Sequence, residues 1–326
     1  MSVKRINCND DNIRTIRDRY PNGLHFVVGD THGEWLTLQL LMDKIAFDPD
    51  KDHVYFVGDY NAGGDPGKLL LYLAAYYQSD CRNPGFHLIR GNHERELWPV
   101  YPLENLPDIY VVKGSVMNYY IAHAGMVSGA MELIIQDIDH DPECSVHAYR
   151  LDNSVAQYDA PFRQIFWSRR GLYSQRTRWR VWPPEEMLSE NCACIIHGHT
   201  PYCFFMDHFS YGDNCIFWEK QHVYFSEDLQ SFNLDSNIKG RNENGETYRG
   251  MSCLCLEICE EIASRNLGRL SVDSLSGYEN GVFSMEYTPA WGSSPTSAGD
   301  PYKILNAAPN MKTITLGQER RPVILN

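Results

Sequence analysis

The chain has 326 residues, 43% of them hydrophobic and 22% charged, which is enough apolar material for a substantial core in one or two domains and gives no compositional case for disorder. Its 42 acidic against 29 basic side chains leave a net charge of −13, so neither nucleic acid nor a membrane is an expected partner, while a local basic pocket stays compatible with that total. No run approaches the roughly 18 apolar residues of a membrane helix, and the basic pair Lys4-Arg5 has no apolar stretch behind it, so a cytoplasmic location is expected.

Five short apolar runs share one ending. Leu24 to Val28 leads into Gly29-Asp30-Thr31-His32-Gly33, and Val54 to Val57 into Gly58-Asp59. Phe86 to Ile89 leads into Arg90-Gly91-Asn92-His93-Glu94, Tyr119 to Ala122 into His123-Ala124-Gly125, and Cys192 to Ile196 into His197-Gly198-His199-Thr200. Short runs rich in β-branched and aromatic residues and stopped by glycine read as buried strands. Helical spacing of apolar residues predicts helices over Trp35 to Ile45 and Lys68 to Tyr77, between the first three strands. Alternation of strand and helix predicts an α/β fold with a largely parallel sheet and ligands at the carboxyl ends of its strands.

From Glu219 onward the pattern turns strand-like at Val223 to Phe225, Ser231 to Leu234 and Met251 to Ile258, as for the second sheet of a sandwich. The segment after Leu270 is rich in Gly, Ser and Pro, and the expected division is a catalytic domain over 1–270 with a loop-rich extension over 271–326, packed on it or partly flexible. The ten cysteines form no CxxC pair, and Cys192, Cys194, Cys253 and Cys255 are expected to be buried, reduced thiols.

Each of the five strand ends carries Asp, Asn or His, ligands that suit Mn, Fe or Zn, and none carries cysteine. Together they supply Asp30, His32, Asp59, Asn92, His123 and His199. A bridging carboxylate with two or three donors on either side is what a two-metal hydrolytic centre needs. Any one of these motifs is more often a turn than a site; the set in one order is not explained by turn chemistry.

Gly29-Asp30-Thr31-His32-Gly33, Gly58-Asp59, Gly91-Asn92-His93-Glu94, His123-Ala124-Gly125 and Gly198-His199-Thr200-Pro201 resemble, in order, the signature of the calcineurin-like metallophosphoesterases. Gly-Asn-His-Glu with Gly-His-Thr-Pro is similar to the phosphoprotein phosphatase branch, as are Phe232 to Asp235 and Arg249 to Leu254; the resemblance spans about residues 24 to 258. It implies a sandwich of two mixed β-sheets flanked by helices, with a dimetal site at the strand ends. It further implies that Asp30 and His32 hold one divalent cation, Asn92, His123 and His199 the other, and Asp59 both, with manganese expected first and Fe or Zn as alternatives. A hydroxide activated by the pair would attack phosphorus, with His93 as the general acid. Phe166-Trp167-Ser168-Arg169 resembles the segment that supplies a phosphate-orienting arginine in bacteriophage-type members, which makes Arg169 the candidate for that catalytic role. Further substrate contacts are expected from Asn92, Arg170 and Arg95. Six arginines between Arg163 and Arg180, interleaved with tryptophan, form a basic wall suited to an anionic substrate or, alternatively, a solvated face.

The second motif departs from the family's Gly-Asp-x-x-Asp-Arg-Gly. Ala62 stands where a carboxylate orients the acid histidine, and Gly63 where an arginine grips phosphate. Asp65 or Glu94 could replace the first, and Arg95, Lys68 or Arg170 the second; the space gained could admit a bulkier ester such as phosphotyrosine. The expected activity is hydrolysis of phosphate monoesters, with a phosphorylated protein (Ser/Thr or Tyr) or a small phosphoester as substrate. The alternatives are a dinucleoside polyphosphate hydrolase, which an alanine at position 62 also resembles, and a metal-binding scaffold impaired in turnover.

Overall fold

The computed structural model describes residues 4–6, 12–61, 63–96, 103, 105–151, 182–183, 185–201, 215–218, 221–227, 230–236, 238, 250–271, 281–286, 288, 300–305 and 310–314. In chain order, β1 is Lys4–Ile6, α1 Ile13–Arg19, β2 His25–Val28, α2 Trp35–Lys44, β3 His53–Phe56, α3 Pro66–Tyr76 and β4 Gly85–Leu88. Then come α4 (Asn92–Glu96), β5 (Ile109–Lys113), β6 (Asn118–Ala122), α5 (Ser128–His140), β7 (Val146–Leu151), α6 (Glu185–Glu190) and β8 (Ala193–His197). The remaining elements are β9 (Cys215–Trp218), β10 (Val223–Ser226), β11 (Ser231–Asn233), β12 (Gly250–Cys255), α7 (Leu256–Arg265), β13 (Val282–Glu286), α8 (Pro301–Leu305) and β14 (Lys312–Ile314).

Two mixed sheets result, as expected from the resemblance. One runs β13-β12-β2-β3-β4, the other β1-β9-β10-β11-β8-β6-β5-β7-β14. The parallel core of the first sheet arises where α2 and α3 carry the chain back between β2, β3 and β4. Helix α3 starts cleanly because Asp65 accepts the Lys68 backbone N–H and Pro66 occupies a first-turn position that needs no donor.

The main core fills the space between the sheets, and a second lies beneath α5 and α6 on the outer face of the larger sheet. Strand β5 shows how one sequence serves both. Tyr110 and Val112 enter the central core while Ile109 and Val111 face α5, the period-two alternation of a strand buried on both sides.

The apolar run Met251 to Ile258, expected as one strand, splits at Cys255. Helix α7 takes over at Leu256 because Ile258, Cys259 and Ile262 then share a buried face, while Glu260 reaches the β5–β6 hairpin. There it accepts from the Val116 and Met117 N–H groups and the Tyr119 hydroxyl. From the 271–326 segment, β13 pairs with β12 and β14 with β7, so it adds a strand to the edge of each sheet. No described helix is long and apolar enough to cross a membrane. None of the eight described cysteines is in a disulfide, and Cys194, Cys253 and Cys255 are buried, whereas Cys192 is partly exposed.

Candidate metal centre

Strand register decides where the motifs meet. Val28 lies opposite Phe56 and Phe56 opposite Leu88, so the loops after β2, β3 and β4 leave one edge together. In the other sheet Ile121 lies opposite Ile196, which brings His123 and His199 out side by side. The Gly198 N–H donates to the His123 carbonyl (2.8 Å), and the His199 N–H donates to the Asp30 carboxylate (3.1 Å), joining the two sheets at the site.

Three of the converging residues sit in left-handed backbone conformations: His32 at φ 42°, Asp59 at 57° and His199 at 67°. Such positions cost on the order of 1–3 kcal/mol each and persist only where surroundings enforce them. Here the His32 N–H donates to the Asp59 carbonyl (2.7 Å) and the Gly64 N–H to the His32 carbonyl (2.9 Å). Glu94 holds the backbone at Asp59. Its Oε2 accepts the N–H groups of Asp59 (2.8 Å) and Gly91 (2.9 Å), and its Oε1 accepts that of Tyr60 (2.8 Å). The loops approach so closely that a Cβ on Gly91 would overlap Asp59 Oδ1, and one on Gly198 would overlap Asp30 Oδ1.

The Asp59 carboxylate occupies the middle. Its Oδ1 lies 3.4 Å from His123 Nε2, and its Oδ2 lies 3.9 Å from His32 Nε2 and 3.7 Å from His93 Nε2. Asp30 Oδ2 is 3.8 Å from His32 Nε2. Two donor groups capable of holding an ion share Asp59: His32, Asp59 and His93 on one side, Asp59, His123 and His199 on the other. Asp30, His32, Asp59, Asn92, His123 and His199 are all buried, while the His93 side chain keeps 24% exposure at the mouth.

The donor set fits cations. Burial pushes the His123 imidazole down to about 3, so it carries one N–H, and that N–H lies on Nδ1, which donates to the Val57 carbonyl (2.8 Å). Its Nε2 therefore presents a lone pair, and 2.7 Å away stands the Asn92 Oδ1, also a lone-pair atom, with His199 Nδ1 3.2 Å beyond. Rotating the Asn92 amide would relieve that contact, and so would a positive ion between the two acceptors. On the other side burial holds Asp30 well above the usual carboxylate range, and the charges of Asp235 and Asp59 push it further. A buried acid group of this kind is stable when it is paired with a cation or coordinates a metal.

Asp235 was not among the candidates. It is buried at the end of β11 beside Asp30, its N–H donating to the Asn233 side-chain oxygen (2.8 Å), while the Asn233 amide donates to the Thr200 carbonyl (3.0 Å). Asn61 was also missed: its carbonyl lies 3.0 Å from His32 Nδ1, which fixes the His32 tautomer and leaves Nε2 to face the carboxylates. The signal for Asp235 was present, since Phe232-Asn233-Leu234-Asp235 repeats the pattern of a strand ending in an acid.

The two acids suggested in place of the missing second-motif carboxylate have other described partners. Glu94 accepts three backbone N–H groups, and Asp65 caps α3 and pairs with Lys68 at 3.4 Å. Arg169, Arg170, Ala62 and the Arg95 side chain lie outside the described residues. Gly63 is exposed, and a Cβ there would overlap the His32 carbonyl oxygen, so this backbone excludes an arginine at that position.

A mixed two-sheet sandwich with acid, amide and imidazole donors gathered at its strand ends is the frame of a metal-dependent hydrolase. The family model of the calcineurin-like phosphoesterases matches residues 26–203, and the chain belongs to that family. Curated relatives include the symmetrical bis(5'-nucleosyl)-tetraphosphatase of Shewanella frigidimarina, 36% identical over 73 residues, which are 22% of this chain and 25% of that protein. The enzyme of the same name from Serratia proteamaculans is 35% identical over 78 residues, 23% of this chain and 25% of that protein. The similarity thus spans about a quarter of these relatives' length. Among solved structures, a serine/threonine phosphatase from Saccharomyces cerevisiae aligns at 14% identity and TM-score 0.40, over 89% of this chain and 85% of that one. A cold-active protein-tyrosine phosphatase of a psychrophilic Shewanella aligns at 15% identity and TM-score 0.39, over 72% of this chain and 77% of that one.

Proposed function

We propose that this hydrolase cleaves phosphoesters with two divalent cations held about Asp59. The observation that carries the proposal is that the Asp59 carboxylate belongs to both donor groups, its two oxygens turned toward different imidazoles. Asp30 and His32 would complete one ion's ligands, and Asn92, His123 and His199 the other's. When bound, the ions supply charge that acidifies a water near neutral pH and stabilises the phosphoryl oxygens. The chain's own groups do the rest. Burial of the donor cluster keeps bulk water from competing, and the Glu94 clamp keeps the two motif loops from drifting apart. A water oxygen bonds to phosphorus as the bond to the departing oxygen breaks, and His93, the one partly exposed imidazole of the cluster, gives its proton to that oxygen.

As substrate, the named relatives favour a dinucleoside tetraphosphate. A phosphorylated protein is the second reading, favoured by the pairing of Gly91-Asn92-His93-Glu94 with Gly198-His199-Thr200-Pro201. Manganese is the expected ion, since Asp, Asn and His donors suit it and availability then decides. Diadenosine tetraphosphate and a set of phosphoserine, phosphothreonine and phosphotyrosine peptides, offered at equal concentration with manganese, separate the readings. A kcat/KM at least about tenfold higher for the dinucleotide, with ADP as sole product, supports the first; preference for any peptide overturns it and installs the second.

A further inference from the structure

A second cluster of ligating side chains stands apart from the centre. Asp141 follows α5, Cys144 lies in the loop to β7, and His147 is the second residue of β7; one donor atom from each falls within 4.8 Å of the others. The cluster is remote from Asp59. Strand β5 pairs antiparallel with β6, Ile109 opposite Ala122 and Lys113 opposite Asn118, so Lys113 marks the end of the sheet away from His123. The Lys113 N–H donates to the Ser145 carbonyl (2.8 Å) and its ammonium to the Pro142 carbonyl (2.9 Å), pinning the 141–147 loop at that far end. The length of β6, roughly 17 Å at 3.4 Å per residue, separates the two places.

We propose that Asp141, Cys144 and His147 form a separate site for one borderline-soft divalent transition ion, zinc foremost. Thiolate and imidazole together select zinc, cobalt or nickel over magnesium, calcium and manganese, whose preference is for oxygen. A tetrahedral ion with bonds of 2.0–2.3 Å separates its donors by roughly 3.3–3.8 Å, so closing the present group takes a contraction of at most about 1.5 Å in a short loop. The parts are already oriented. His147 is buried and its Nε2–H donates to the Cys144 carbonyl (3.1 Å), which leaves the lone pair on Nδ1, while the Cys144 S–H donates to the Val146 carbonyl (3.0 Å), a contact that ligation would replace. Asp141 is partly exposed, which would leave the fourth position open to water. Binding would release the thiol proton and tie the end of α5 to the start of β7.

Cobalt(II) added to the chelator-treated full chain tests the site, because only sulfur ligation gives a thiolate-to-metal charge-transfer band and the proposed phosphoesterase ligands include no cysteine. Wild type and Asp59→Asn should both show the band. Cys144→Ser should lose it, and His147→Gln should weaken cobalt binding at least about tenfold. In chelator, wild type and Cys144→Ser should unfold at the same denaturant concentration, and zinc should then raise the wild-type midpoint by more than that of Cys144→Ser, in which only the Asp59 centre is left to bind it. No band in wild type, or a band unchanged in Cys144→Ser, would overturn the proposal, as would an equal zinc shift in both proteins.

Discussion

Replacing Glu94 with glutamine removes one oxygen and one charge from the point where the second and third motifs are held together. The carboxylate accepts three backbone N–H groups, two on Oε2 and one on Oε1, and it is buried. A glutamine that turns its oxygen toward Asp59 and Gly91 keeps two of those bonds, but its NH2 then faces the Tyr60 N–H, donor against donor. The loss is one charge-assisted hydrogen bond together with a buried unsatisfied N–H, each in the range of 1–3 kcal/mol; relief of the carboxylate's desolvation offsets part, leaving a destabilisation of about 2–3 kcal/mol. Asp59 is the residue most exposed to the change, because its left-handed backbone is held there by this contact. A displacement of up to ~1 Å in a residue that orients two donor groups should lower kcat/KM about 10- to 100-fold. Urea unfolding of the chelated protein reads the first quantity and steady-state phosphoester hydrolysis the second. Glu94→Gln with wild-type midpoint and wild-type kcat/KM would refute the clamp.

Other perturbations have equally direct readouts. Asp108→Ala would strand the Arg90 guanidinium, whose Nε donates to Asp108 at 2.8 Å with both residues buried, and should cost about 3–5 kcal/mol in urea unfolding. Gly63→Arg should lower kcat/KM rather than raise it, because the new Cβ displaces the His32 carbonyl; a gain in activity would show that position 63 lacks only a cation. His53 and His87 stack on neighbouring strands with Nδ1 and Nε2 3.0 Å apart, and burial pushes their pKa values down to about 4 and about 3. The folded protein keeps these rings neutral while the unfolded chain protonates them below about 6.5, so stability is lost as pH falls from there toward 4. His87 alone should account for about 2 kcal/mol between pH 7 and 4.5, and chelated His87→Gln should show a correspondingly smaller acid loss in urea titrations.

That the residues of the candidate metal centre converge could be read in the sequence because each follows an apolar run within a few positions, and a strand end fixes where such a residue emerges. That rule works without knowing the pairing order. Asp235 obeys it at the end of β11, yet it carries weight only through its nearness to Asp30, which depends on β11 lying beside β8. Glu94 shows a different limit. A carboxylate next to His93 reads equally well as its orienting partner or as a clamp, and only the positions of three N–H groups from two loops decide. The helix that begins after Cys255 also carries Glu260 to a hairpin more than a hundred residues earlier, a contact no local pattern encodes. Asp141, Cys144 and His147 were passed over because none follows a strand. Their meeting is made by a loop pinned from β5.

The most direct test of the shared Asp59 carboxylate is hydrolysis of para-nitrophenyl phosphate by the chelated chain as manganese is returned, with Asp59→Asn alongside. Activity should be absent in chelator, rise as about two manganese ions bind per chain, and fall at least about 100-fold in Asp59→Asn. Turnover that survives chelation, or that Asp59→Asn leaves intact, would mean that the centre at the strand ends does not carry the reaction.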